Sequence, residues 1–115
     1  MRMWNVDVKI MCNRHILGEH LEMHMFIGSI IKGTSLKGYI ENGLLEVHNI
    51  TKRHQELEDE MKLRDIVHNS PIFISINSLP TQGKINVEQS LKDLLERCKD
   101  CKKRYNENKL SLCII

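Results

Sequence analysis

The sequence predicts an all-α fold: one compact domain spanning residues 1–115, built from three main helices with long connecting loops. Apolar residues recur at helical spacing in three separate stretches, the second and third of them preceded by credible caps. The one β-like stretch, Pro71–Ile76, has no second strand to pair with and is expected to be an extended loop covering the core. The chain has 115 residues, of which 41% are hydrophobic. A chain of that size buries roughly two-thirds of its unfolded surface, enough for a core without obligatory staples.

The first helix is expected from Asn13 to Ile31, where Ile16, Met23, Ile27 and Ile30 form an apolar stripe. Lys32-Gly33, Gly38 and Gly43 then mark a loop-rich connection. A second helix starts near Asn49 or Thr51, both suitable N-caps, and runs to about Ile66 with Leu57 and Met61 inward. Asn69-Ser70-Pro71 stops it. The third opens at Asn86, with Gln89 three residues on in a capping-box pattern, and continues through Leu91, Leu94, Leu95 and Cys98. There is no internal repeat and no low-complexity linker.

Seventeen Lys and Arg against fifteen Asp and Glu leave a formal charge of +2, which neither demands nor excludes nucleic acid. Placement therefore matters more than the total. The basic run from Arg97 to Arg104 is read as a solvated helix end that complements the macrodipole. No apolar run approaches the ~20 residues of a membrane span, and Asp7 and Lys9 interrupt any leader-like start. An intracellular location is expected, and four cysteines then mean reduced thiols or a metal site, not a disulfide frame. Cys113, with only two residues after it, does not make a prenylation box.

The chemistry concentrates in the first 22 residues. At 100° per residue, His15, Glu19 and Glu22 fall on one face of the first helix, beside its apolar stripe. That brings carboxylates within folding distance of the α-amine at the chain start. An amine beside a carboxylate is the minimum equipment for imine chemistry on a sugar carbon. An α-amine suits the task because attack needs the neutral form. With a reference pKa near 7.8 it is about one-third neutral at pH 7.5, whereas a lysine is about 0.1% neutral.

The blocks Arg14-His15-Ile16-Leu17-Gly18-Glu19-His20-Leu21-Glu22, Gly38-Tyr39-Ile40 and Lys52-Arg53-His54-x-x-Leu57-x-x-Glu60-Met61-x-x-Arg64 resemble the phage-type pyrimidine-dimer DNA glycosylases, small endonuclease V-like enzymes of ultraviolet-damage repair. The correspondence runs from the chain start through the second helix and reaches the third only by position. The resemblance implies a glycosylase with abasic-site (AP) lyase activity that needs no cofactor. Its N-terminal amine attacks C1′ of the damaged nucleotide, a helix-borne glutamate assists, and β-elimination cuts the strand. The family glutamate falls on Glu22, the family histidine on His15 and, counting back without a gap, the nucleophilic residue on Met1. Bulky Arg2 is expected to prevent removal of Met1.

The expected partner is double-stranded DNA carrying pyrimidine dimers or abasic sites, with the target nucleotide flipped from the stack. Arg2, Arg14, His15, Lys37 and Arg53 are the candidate DNA contacts, the first three implied by the resemblance. A monomer is expected, with no membrane association, and the resemblance points to a viral source acting in the host cytoplasm. The chain departs from the family where two arginines that contact DNA near the dimer fall on Leu21 and Met25, and where an aromatic-rich tail is reduced to Tyr105.

Cys12-Asn13-Arg14-His15 and Cys98-Lys99-Asp100-Cys101 supply four zinc-type ligands at familiar local spacings. One reading is a structural zinc tying the entry of the first helix to the end of the third. The other is that Cys98 extends the core stripe and the remaining thiols are ordinary. A zinc-bound His15 would compete with its use as a DNA contact. The alternative to an enzyme is a non-catalytic DNA-binding or zinc-stapled interaction module using the same basic surface.

Overall fold

The computed structural model describes residues 1–67 and 79–114, with side chains as far as residue 109. The stretch Pro71–Ile76 lies outside the described residues. Among the described residues every regular element is helical, in the order α1 (Asn13–Lys32), α2 (Lys37–Glu41), α3 (Ile50–Leu63), α4 (Val87–Arg97) and α5 (Lys99–Ile114), with 3-10 turns at Val8–Ile10 and Val47–Asn49. The expectation of three main helices is therefore corrected to five, two of which carried no readable period. α2 is too short to show one, and the apolar residues of α5 are not gathered on one face.

α1 buries Ile16, Glu19, Met23, Phe26 and Ile27, and it ends where Gly33 turns left-handed at φ 74°. The Gly33 amide then reaches the Ile30 carbonyl, and the Thr34 amide the Ser29 carbonyl. This closes the last turn in the way that favours glycine. α3 packs across α1 and buries Ile50, Arg53, His54, Leu57, Glu60 and Met61. Asn49 stands at its N-cap, but its side chain donates to Glu46 Oε1 at 2.6 Å because the preceding 3-10 turn runs directly into the helix. At α4 the Asn86 side chain accepts from the Gln89 amide at 3.1 Å. The Gln89 side chain turns to Asp93 instead, so only half of the capping box forms.

At Cys98 the backbone becomes extended (φ −129°, ψ 112°), which breaks the C-terminal region into α4 and α5. α5 folds back against the Val8–Ile10 turn, where Arg104 donates to the Lys9 carbonyl. The first residues run without regular structure along α1, with Met3, Trp4 and Val6 buried in the core. Gly83 permits the chain to pass against Leu45, whose carbonyl oxygen occupies the space a side chain would need. Among the described residues, no helix is long and apolar enough to cross a membrane.

Candidate active site and a second ligand cluster

Glu19 and Glu22, one turn apart on α1, have been given different work. Glu19 is 1% exposed. Its carboxylate accepts from Arg53 Nε at 2.7 Å and Arg53 Nη2 at 2.9 Å, and from the amides of Trp4 at 3.1 Å and Asn5 at 3.4 Å. A buried carboxylate is tolerable only with this density of donors. The expectation that Glu19 lies beside the apolar stripe is therefore corrected: it is sealed within the core. Its role is to pin the N-terminal segment to α1, and Asn5 bends away from that anchor with φ 56°, a left-handed value that asparagine accepts readily.

Pinning Trp4 leads the chain start to Glu22. The Arg2 amide donates to Glu22 Oε2 at 3.2 Å, and Met1 beyond it remains exposed. Burial holds the Glu22 carboxyl above the usual carboxylate range; the Arg2 amide and the nearby α-ammonium pull it back down, and Glu19 adds to the upward push. The Glu22 carboxyl thus sits near an amine whose charge it senses.

The Arg2 side chain is clamped from three sides. Its guanidinium donates to Ser90 Oγ at 3.0 Å, faces Asp93 at 3.7 Å and stacks over the Trp4 ring at 4.0 Å. Ser90 in turn donates to the Trp4 carbonyl. Burial lowers the Arg2 pKa, with Asp93 opposing that shift and Arg97 reinforcing it. Trp4, Ser90, Asp93 and Arg97 were not read from the sequence as site residues. The only available signal was a solitary tryptophan four residues from the chain start.

An open cleft of about 290 Å³ lies beside this assembly, lined by Trp4, Arg14, His15, Gly18, Glu19 and Glu22. Gly18 leaves its floor bare, since no atom lies where its side chain would be. His15 meets Trp4 edge to face at 5.9 Å. Burial, reinforced by Arg14 and opposed by Glu19, lowers the His15 pKa and so favours the neutral ring.

Of the expected DNA contacts, Arg2, Arg14 and His15 gather at or beside the cleft. Arg14 is exposed in a loose pair with Asp100 at 3.8 Å. Lys37 is on α2, paired with Glu41 at 3.7 Å, and does not line the cleft. Arg53 is a correction. It is 1% exposed, and besides Glu19 it donates to the Val6 carbonyl at 2.7 Å and to Met11 Sδ at 3.2 Å, leaving nothing to offer a phosphate. Leu17, Leu21 and Met25 form an exposed apolar ridge along α1 beside Glu22.

Among the described residues, two clusters have donor atoms close enough to share a metal ion. In the first, the donor atoms of Cys12, His15, Cys98 and Cys101 all lie within 4.8 Å of one another. Cys12 caps the start of α1, His15 is in its first turn, Cys98 is the α4–α5 junction and Cys101 is in the first turn of α5. Burial pushes the Cys101 thiol up to about 12. The second cluster comprises His20 and His24 on α1 with His54 on α3, where the Nε2 atoms of His24 and His54 are 3.1 Å apart.

A family model described as pyrimidine dimer DNA glycosylase matches residues 1–73. The match takes in the whole N-terminal segment, α1 and α3, and ends before α4. No curated protein and no solved structure matches the chain.

Proposed function

Since the chain belongs to the pyrimidine dimer DNA glycosylase family, we propose that it excises ultraviolet-induced cyclobutane pyrimidine dimers from duplex DNA and then cuts the strand as an AP lyase. In this reading the α-amine of Met1 is the nucleophile and Glu22 its acid–base partner. The observation that carries the reading is the bond from the Arg2 amide to Glu22 Oε2 at 3.2 Å, which fastens the first peptide of the chain to a half-buried carboxylate.

The neutral amine nitrogen bonds to C1′ as the bond from C1′ to the pyrimidine nitrogen breaks, the base leaving with the bonding pair. Opening of the deoxyribose ring yields an imine between C1′ and Met1. Loss of a proton from C2′ gives an enamine, whose electron pair then returns to form a C2′–C3′ double bond as the bond from C3′ to the 3′ phosphate oxygen breaks. Water finally hydrolyses the imine and returns the amine. Glu22, with its pKa raised by burial, takes and returns protons in these steps and balances the cationic imine.

Arg14, exposed on the cleft wall, supplies positive charge toward the phosphates, and Arg2, whose guanidinium is engaged by Ser90 and Asp93, adds to the positive field at the chain start. The exposed Leu21 and Met25 stand where the family has arginines. An apolar pair suits a wedge between base steps better than a hydrogen-bonding grip. The substrate is double-stranded DNA with a pyrimidine dimer or an abasic site.

The test is incubation of purified protein with end-labelled duplexes that do or do not contain one thymine dimer. Scission at the dimer alone supports the reading. Binding of the damaged duplex with no base release and no scission would favour a non-catalytic DNA-binding module.

A further inference from the structure

We propose that Cys12, His15, Cys98 and Cys101 hold one zinc ion that staples the start of α1 to the α4–α5 junction and so braces the cleft from behind. The inference is independent of the proposed reaction. Two of its ligands, Cys98 and Cys101, lie beyond the residues that the family model matches.

The four donor atoms lie within 4.8 Å of one another, and two of the separations match those of a tetrahedral shell while a third is slightly shorter. Cys12 Sγ is 3.2 Å from His15 Nδ1 and 3.7 Å from Cys98 Sγ, and Cys101 Sγ is 3.6 Å from His15 Nδ1. Zinc bonds of about 2.3 Å to sulfur and about 2.0–2.1 Å to nitrogen put tetrahedral ligands about 3.5–3.8 Å apart. The separation of Cys12 and Cys98 is also far beyond the ~2.05 Å of a disulfide. Packing alone does not account for the arrangement. Thiols used as small hydrophobes have no reason to converge on one imidazole nitrogen, and S–H is too weak a donor to draw four polar groups together from positions 86 residues apart.

The backbone is disposed to support thiolates. The Cys12 amide points at Cys101 Sγ at 3.2 Å, and the Cys101 amide at Cys98 Sγ at 3.4 Å. Such N–H donors stabilise sulfur that has lost its proton and fix the ligands in place. Three thiolates and one imidazole form a soft set that selects zinc over magnesium or calcium. Four protein ligands close the shell, which marks a structural site and not a catalytic one.

The staple has a consequence for the cleft. With Nδ1 on the metal, His15 keeps its proton on Nε2 at the opposite edge of the ring. Metal ligation and a contact to DNA are then compatible, because the metal fixes a single N–H donor at the cleft wall. The same ion holds α4 to α1, and α4 carries the Ser90 and Asp93 that grip Arg2.

Metal analysis of the full chain purified without chelator is expected to give one zinc per chain. After stripping, Co²⁺ is expected to restore the visible absorption of a tetrahedral site with sulfur-to-cobalt charge transfer, which added Zn²⁺ then abolishes. Cys12, Cys98 and Cys101 should resist alkylation until the metal is removed, and the Cys98→Ser/Cys101→Ser variant should fall from one zinc to near none. Zinc far below one equivalent, together with no sulfur–cobalt band in the wild-type chain, would overturn the proposal. So would a full zinc load in the double variant. The cobalt and alkylation readings use the unaltered chain, so they decide the matter even if the variant fails to fold.

Discussion

The guanidinium of Arg53 on α3 holds both carboxylate oxygens of Glu19 on α1, Nε at 2.7 Å and Nη2 at 2.9 Å, with both side chains sealed from solvent. That pair is the hinge between fold and site. It joins the two principal helices, and its carboxylate also holds the amides that lead the chain start toward Glu22. Glu19 secures the N-terminal segment so that Glu22, one turn further on, can meet the first peptide.

Breaking the pair leaves an uncompensated buried charge. Arg53→Ala is expected to lose about 3–5 kcal/mol of stability, read from denaturant unfolding, against less than about 0.5 kcal/mol for Lys37→Ala on the surface. Unchanged stability in Arg53→Ala combined with weaker DNA binding would return Arg53 to the list of DNA contacts.

Glu22→Gln should preserve folding and binding of dimer-containing DNA while slowing strand cleavage by about a hundredfold or more. A Glu22→Gln protein that cleaves at the wild-type rate would remove this carboxyl from the mechanism.

The raised Glu22 pKa has a definite sign in the pH profile. If the carboxylate is the active form, cleavage falls as the pH drops through the folded pKa, so the acidic limb lies above the ~4.3 of an ordinary glutamate. Stability runs the other way. A folded pKa above the unfolded one means that the folded state binds the proton more tightly, so this stabilisation is complete below the unfolded pKa and is lost as pH rises through the folded value. Both dependences should vanish in Glu22→Gln, measured by single-turnover cleavage and by unfolding over the same pH range.

The apolar ridge and the basic residues should separate by salt dependence. Leu21→Ala/Met25→Ala is expected to weaken binding of damaged DNA about tenfold or more, the scale of about 1.5–3 kcal/mol for one buried apolar side chain. It should leave the slope of affinity against salt unchanged, since apolar contacts release no counterions. Arg14→Ala should reduce that slope. Fluorescence anisotropy across a salt series checks both, and a shallower slope in the Leu21/Met25 variant would argue against a wedge.

Where the sequence was readable, it was readable because local physics dominated. The stripe of Ile16, Met23 and Ile27, the stop at Gly33 and the cap at Asn86 are each fixed by a few neighbouring residues, and they appear where the pattern puts them. Arg53 was misread because a helical arginine looks the same in sequence whether it faces water or a buried carboxylate 34 positions away. The Arg2 clamp from Ser90 and Asp93 depends on α4 packing against the chain start, a long-range fact with no local signature. The Cys12/His15 and Cys98/Cys101 pairs were visible and could be joined in one reading, but only the fold shows their donor atoms within 4.8 Å of one another.

The central claim is that the α-amine of Met1 forms the covalent link to DNA. Borohydride trapping on an abasic-site duplex, followed by proteolysis and mass spectrometry of the adduct, tests it most directly. The account predicts a trapped complex whose modification maps to the α-nitrogen of Met1, and which disappears when one residue is added before Met1 or the amine is acetylated. An adduct mapped to a lysine side chain, or none formed by protein that is bound to the duplex, would contradict it.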